Sequence, residues 1–157
     1  VVDSAPNRGT TFSIYLPQTD EPSQPDDARA TIEPRGGSET IIVVEDEERI
    51  RELVKRTLKG AGYAVLEAED ADRALSVASR HQGPIALLVS DIVMPRMTGL
   101  ELARTLTEAR PELKTLFMSG YADGAIADEG LPEGGAYLSK PFRPEALLQR
   151  VRDSLDA

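Results

Sequence analysis

The side chains able to do chemistry together are Glu45 and Asp46, Asp91, Ser119 and Lys140. Each follows an apolar run: Val43-Val44 before Glu45, Leu87-Leu88-Val89-Ser90 before Asp91, Leu116-Phe117-Met118 before Ser119, and Tyr137-Leu138-Ser139 before Lys140. Three carboxylates brought within about 4–6 Å repel one another and resist full ionisation. A divalent cation removes that penalty. Mg2+ prefers oxygen ligands and keeps several waters, so a few carboxylates suffice. Lys140 adds positive charge and donors, and Ser119-Gly120 offers a hydroxyl where the backbone can be approached closely. An Asp nucleophile, a Mg2+ site, an ammonium and a hydroxyl suit phosphoryl transfer. Asp91 would attack phosphorus in line, while the cation and Lys140 neutralise charge on the equatorial oxygens. Taken singly, the same residues have plainer roles. A strand-end Asp caps a turn, and acids such as those at Glu45 to Glu48 in a first helical turn favour the helix dipole. The distinction rests on whether they share one edge of a sheet.

The elements that must position them are legible in order. Thr40-Ile41-Ile42-Val43-Val44 is a β-branched run of the kind buried on both faces of a parallel sheet. A helix follows, with Ile50, Leu53, Val54, Leu58 and Ala61 at helical spacing and Gly60 and Gly62 closing it. Tyr63 to Glu67 reads as a second strand. Asp70 caps the next helix, whose apolar face is Ala71, Ala74, Leu75 and Ala78. His81, the chain's one histidine, falls at that helix's polar end and is expected to be solvated rather than catalytic. Ile85 to Ser90 is a third strand leading to Asp91, with Met94-Pro95 and Gly99 shaping the loop beyond it. Thr98 caps a helix through Leu102, Ala103 and Leu106, which stops before Pro111. Lys114 to Met118 is a fourth strand. Ala122 to Gly135 holds several glycines and a proline, so a short turn of helix and a loop are expected there instead of a full fourth helix. Ala136 to Ser139 is a brief fifth strand. Pro144 opens a last helix that turns Leu147, Leu148, Val151 and Leu155 inward. This alternation predicts an α/β domain, a doubly wound parallel sheet with helices on both faces. In such sheets ligands bind beyond the carboxyl ends of the strands, where all of the reactive residues fall.

The N-terminal part differs. Arg8 to Pro17 alternates apolar residues at 12, 14 and 16 and predicts one strand entered through a glycine turn. One strand cannot bury its apolar face alone, so residues 1–17 are expected to be the tail of a severed domain. The absence of Met at position 1 agrees with a piece of a longer chain. Residues 18–38 have the Pro, Gly, Ser and acid content of a mobile linker.

Composition narrows the function. The 157 residues are 40% hydrophobic and 29% charged, a globular balance. With no cysteine, disulfides and thiolate metal sites are excluded, and a reducing cytoplasm fits. No apolar run approaches the length of a membrane helix. A net charge of −9 with no basic stripe argues against nucleic-acid binding.

Residues 39–157 resemble the receiver domain of two-component response regulators. The resemblance is carried by Val43-Val44-Glu45-Asp46-Glu47, Ser90-Asp91-Ile92-Val93-Met94-Pro95 with Gly99, Met118-Ser119-Gly120, and Tyr137-Leu138-Ser139-Lys140-Pro141-Phe142, in this order and spacing. It implies a flavodoxin-like five-stranded sheet in the order 2-1-3-4-5. It implies that Asp91 is the phosphoacceptor and that Glu45, Asp46, Asp91 and the backbone carbonyl of Val93 hold Mg2+. Ser119 would bind a phosphoryl oxygen, Lys140 would pair with the phosphoryl group, Tyr137 would be the switch aromatic, and Lys140-Pro141 a cis peptide. The mechanism implied is a population shift in which Ser119 moves toward phosphorylated Asp91 and Tyr137 fills the vacated space. Tyr137 alone would be an ordinary half-buried strand tyrosine. The short or irregular fourth helix departs from the family and puts the usual output surface in doubt.

Arg8 to Pro17 resembles the end of the ATP-binding domain of histidine kinases, where a Gly-Thr-x-Phe segment leads into the last strand. The phosphoacceptor His segment and the Asn- and Gly-rich ATP motifs are absent, so no kinase activity is expected of this piece, only promotion of its own phosphorylation and dephosphorylation. Together the resemblances imply the C-terminal part of a hybrid histidine kinase, without a DNA-binding output domain. Its partners would be a histidine kinase domain, in cis or in trans, or a histidine phosphotransfer protein, with no direct membrane contact. A stand-alone single-domain regulator is the close alternative. A receiver-like interaction module that is not phosphorylated is disfavoured because every acidic position is filled. A haloacid-dehalogenase-like phosphatase needs an acid two residues after the nucleophile, where this chain has Val93. A flavodoxin's phosphate would be repelled by Glu45 to Glu48.

Overall fold

A computed structural model of the chain describes residues 1–6, 8–15, 36–120 and 135–157. Chain contacts divide it into two units, Val1–Thr31 and Ile32–Ala157.

In the first unit, β1 (Val2–Ala5) and β2 (Gly9–Phe12) form an antiparallel hairpin in which Val2 faces Phe12 and Ala5 faces Gly9. This corrects the expectation of a single strand. Val2-Asp3-Ser4-Ala5 has no apolar alternation to announce it, and pairing with Gly9–Phe12 is what makes it a strand. Gly9 has a φ of 80°, a left-handed conformation that glycine adopts at no steric cost. Val2, Phe12, Ile14 and Tyr15 are all exposed.

The second unit is a parallel sheet of β3 (Thr40–Val44), β4 (Ala64–Ala68), β5 (Leu87–Asp91), β6 (Lys114–Ser119) and β7 (Ala136–Ser139). Its order is β4-β3-β5-β6-β7, which is 2-1-3-4-5 counted within this unit. The helices described are α1 (Glu48–Gly60), α2 (Ala71–Arg80), α3 (Gly99–Ala109) and α4 (Pro144–Asp156). Alternate residues of the central strands face opposite sides. Ile42, Val44, Leu88 and Phe117 join α2 and α3 in one apolar layer. Ile41, Val43, Leu87, Val89, Leu116 and Met118 join α1 and α4 in the other. The sheet is therefore doubly wound, as the alternation of elements predicts. Each fully buried Leu, Ile or Phe contributes roughly 1.5–3 kcal/mol, so these layers dominate the stability of the unit.

Local signals place the helix starts. The Asp70 Oδ1 accepts the Arg73 amide at 2.7 Å. Thr98 and Glu101 form a reciprocal capping box at the start of α3, which satisfies two otherwise orphaned donors. Pro144 occupies the first turn of α4. Strand limits move by a residue or two from the sequence reading. Tyr63 precedes β4 as a buried side chain, and β5 runs from Leu87 through Asp91, not from Ile85. The segment from Ala122, where a short or irregular fourth helix is expected, lies outside the described residues through Gly134. The linker expected over 18–38 likewise lies outside them, apart from residues 36–38. No helix among the described residues is long and apolar enough to cross a membrane.

Candidate functional site

The register of the sheet brings the reactive residues together. Val44 pairs with Ser90, so Glu45 and Asp91 emerge level with each other. Asp91 pairs with Met118, which sets Ser119 one residue further on. Ser119 pairs with Ser139, and Lys140 follows. Parallel strands all end at one edge, so residues far apart in sequence meet there. Carboxylate oxygens of Glu45, Asp46 and Asp91 lie within 4.8 Å of one another. The Lys140 Nζ donates to the Glu45 Oε2 at 2.6 Å and to the Asp91 Oδ2 at 2.8 Å.

Burial sets the electrostatics. Glu45 is 1% exposed, whereas Asp46 is exposed and Asp91 half-buried. Burial pushes the Glu45 carboxyl above its ordinary value, and hydrogen bonding to Lys140 offsets this only in part. Burial pulls the Lys140 ammonium down, but hydrogen bonds to Asp91 and Glu45 outweigh it and raise the pKa. Lys140 is therefore charged. Three acids face one ammonium, and the donor set is all oxygen, which is the chemistry that a hard cation fits.

Neighbouring groups hold this arrangement. The Arg51 Nη1, on α1, donates to the Glu45 carbonyl at 2.7 Å and, longer, to that of Asp46 at 3.4 Å. The Glu45 amide donates to the Ala68 carbonyl at 3.2 Å. The buried Ser90 hydroxyl donates to the Asp91 carbonyl at 2.8 Å. Gly99 packs on the same carbonyl so closely that a Cβ there would lie 2.1 Å from the Asp91 oxygen and 2.9 Å from the Ser90 Oγ. That explains the glycine in the loop. Arg51 has no distinct sequence signal, and Ser90 enters the resemblance only as a neighbour of Asp91, with no role of its own. One reads as an ordinary helix-surface arginine, the other as a polar interruption of Leu87-Leu88-Val89.

Val93 brings its backbone N–H to the Asp91 Oδ1 at 3.3 Å, while the residue is 62% exposed. Ser119 is 2% exposed. Its carbonyl accepts both the Lys140 amide and the Tyr137 hydroxyl, each at 2.9 Å. Tyr137 is half-buried against the layer that contains Phe117. The peptide Lys140-Pro141 is cis, as the resemblance implies. Of the residues singled out in the sequence, Glu45, Asp46, Asp91 and Lys140 meet directly, and Ser119 and Tyr137 join them through the backbone beside Lys140.

A doubly wound, flavodoxin-like sheet with an acidic cluster at its carboxyl edge defines the structural class. The family model for the response regulator receiver domain matches residues 41–152. The chain belongs to that family and is a receiver domain of two-component signalling. It is 37% identical to the sensor kinase CckA of Brucella abortus over 98% of this chain and 17% of that protein. It thus spans a small part of that relative's length. It is 36% identical to the response regulator receiver protein CpdR of the same organism, over 74% of this chain and 97% of that one. Among solved structures, the receiver domain of the hybrid histidine kinase CckA matches with a TM-score of 0.63 and 34% identity, over 74% of this chain and 98% of that one. The chemotaxis protein CheY4 of Vibrio cholerae matches with a TM-score of 0.68 and 30% identity, over 75% of this chain and 99% of that one.

Proposed function

We propose that Asp91 is the phosphoacceptor of this receiver, taking a phosphoryl group from a phosphohistidine. The observation that carries this reading is the Lys140 ammonium held between Asp91 and Glu45 at the carboxyl edge of the sheet. An Asp91 oxygen attacks phosphorus, the P–N bond of the donor breaks, and the leaving imidazole keeps the electron pair and is protonated. Glu45, Asp46, Asp91 and the Val93 carbonyl would hold Mg2+, which when bound supplies charge neutralisation at the phosphoryl oxygens. Lys140 orients the Asp91 carboxylate and pairs with the incoming phosphoryl group. Ser119 binds a phosphoryl oxygen. Its movement toward Asp91 alters the carbonyl that anchors the Tyr137 hydroxyl, which makes Tyr137 the reporter of the phosphorylated state.

In this reading the chain is part of a hybrid histidine kinase acting in the cytoplasm. Residues 1–17 are the remnant of the ATP-binding domain, residues 18–38 the linker and residues 39–157 the receiver. Partners are a histidine kinase domain or a histidine phosphotransfer protein. Identity with CckA over nearly the whole chain, hairpin included, supports this. The near-complete coverage of CpdR supports the second reading, a stand-alone receiver. Phosphoramidate, a small P–N donor, tests the donor class. With Mg2+ it is expected to give one acyl phosphate that hydroxylamine removes. No adduct, or one that resists hydroxylamine, contradicts the reading.

A further inference from the structure

We propose that Arg96 is a positioning residue for this site, clamping the loop after Asp91 to the start of α2 and so fixing Val93 beside the Asp91 carboxylate. The inference rests on the reading of Asp91 as a phosphoacceptor assisted by Mg2+.

Arg96 has a φ of 70° and is the non-glycine residue with positive φ among those described. An L side chain avoids that region because its Cβ crowds the backbone carbonyl. Such a conformation persists only where the surroundings impose it, and it concentrates near functional sites. Here the surroundings are two carboxylates. The Arg96 Nη2 donates to the Asp70 Oδ2 at 2.8 Å, and Nη1 pairs with the Asp72 Oδ2 at 3.1 Å. Asp70 is itself fixed, because its other oxygen caps α2 through the Arg73 amide. The guanidinium therefore grips a partner already held in place.

The rest of the loop shows what that grip adds. Its ends are closed by the Gly99 amide donating to the Ile92 carbonyl at 2.9 Å and by the Thr98 cap. The Met94 side chain is buried. Pro95, Arg96 and Val93 are exposed. The guanidinium fork ties this stretch to the start of α2. A lysine would keep the charge but could not span both carboxylates in a fixed geometry. Arg96 is 68% exposed, so salt screens the clamp.

The test compares the full chain with Arg96→Gly, Arg96→Lys and Asp72→Asn. Glycine accepts the left-handed φ, so Arg96→Gly removes the clamp without adding strain. Asp72→Asn removes one partner and leaves the Asp70 cap. The readouts are amide hydrogen exchange at Val93 and Met97 without Mg2+, and the Mg2+ Kd by calorimetry. For Arg96→Gly at low salt, both the Val93 exchange rate and the Mg2+ Kd are expected to rise about three- to five-fold, the scale of a well-formed exposed ion pair. The other two variants are expected to fall between it and wild type. The differences are expected to vanish at molar salt, with Ile42 and Val43 amides unchanged throughout. A wild-type chain that binds Mg2+ beside an Arg96→Gly variant with unchanged readouts overturns this proposal alone, and so does exchange raised equally at Val43. A wild-type chain that binds no Mg2+ overturns the metal-site reading and this proposal together.

Discussion

Lys140 and Arg152 each sit between two carboxylates, at opposite edges of one sheet. At the carboxyl edge Lys140 bridges Glu45 and Asp91. At the amino edge the Arg152 Nη1 pairs with the Glu39 Oε1 at 3.0 Å and Nη2 with the Asp156 Oδ1 at 2.7 Å. The formal charges match, but the surroundings do not. The Glu45 side chain is 1% exposed, whereas Glu39 and Asp156 are 34% and 64% exposed. Burial raises the Glu45 pKa, while a backbone hydrogen bond, the largest influence on Glu39, lowers its pKa. At the amino edge the arginine fork holds Asp156 and one oxygen of Glu39, while the other Glu39 oxygen, Oε2, is buried without a hydrogen-bond partner. The carboxyl-edge acids are short of positive charge, because Asp46 joins Glu45 and Asp91 around one ammonium. The same ion-pair motif is thus a fastening at one edge and the proposed phosphoacceptor site at the other, and the two differ in burial.

The largest effect should come from breaking the buried motif. Lys140→Met leaves Glu45 and Asp91 facing each other without a cation, and a loss of about 3 kcal/mol is expected. Urea unfolding in chelator measures it, and added Mg2+ is expected to restore part of the loss. A cost no greater than that of removing Arg152 would erase the contrast between the edges.

Gly99→Ala attacks the same edge through the backbone. Its Cβ would have to displace the Asp91 carbonyl, and a loss of about 2 kcal/mol is expected for such overpacking. The same unfolding series reports it. A neutral result would mean that the α3 start moves freely away from β5.

Much of this was legible in the sequence. β-branched runs, Asp70 and Thr98 as caps, and Pro144 at a helix start are local signals, and the structure contains each of them. The meeting of Glu45, Asp91, Ser119 and Lys140 was legible as a convergence of strand ends, although Lys140 and Glu45 are 95 positions apart. Other features depend on contacts that no local pattern encodes. β1 exists only through its pairing with β2. The left-handed Arg96 occupies a conformation that sequence rules assign to glycine or asparagine. The Arg51 bonds to the Glu45 and Asp46 carbonyls and the Ser90 bond to that of Asp91 are tertiary consequences of where the strands stop.

The two edges should also respond to acid in opposite directions. The ordinary glutamate value is near 4.5. A raised folded pKa means that the Glu45 contribution to stability is complete below that value and is lost as pH rises through the folded pKa. A lowered one means that the Glu39 contribution is present above that value and is lost as pH falls through the folded pKa. In metal-free buffer, Glu45→Gln is therefore expected to gain stability relative to wild type at neutral pH. Glu39→Gln is expected to lose stability there and to converge on wild type in acid. Urea midpoints taken from about pH 3 to about pH 7 separate the two. Parallel curves for both variants would break the comparison.

The smallest effect is expected for Arg152→Met. Its partners are 34% and 64% exposed, against 1% for Glu45, so a loss of about 1 kcal/mol is expected, shrinking as salt is added. A salt-independent loss of the Lys140→Met size would place the two edges in one electrostatic class.

The central claim is that Asp91 is the residue that accepts the phosphoryl group. Intact-mass analysis after incubation with acetyl phosphate tests it most directly, with Mg2+ present or chelated and with Asp91→Asn alongside. The account predicts a single-phosphate adduct on the wild-type chain that is absent without Mg2+ and absent in Asp91→Asn. A wild-type chain that stays unmodified with Mg2+ present, or an adduct of equal yield in Asp91→Asn, would contradict it.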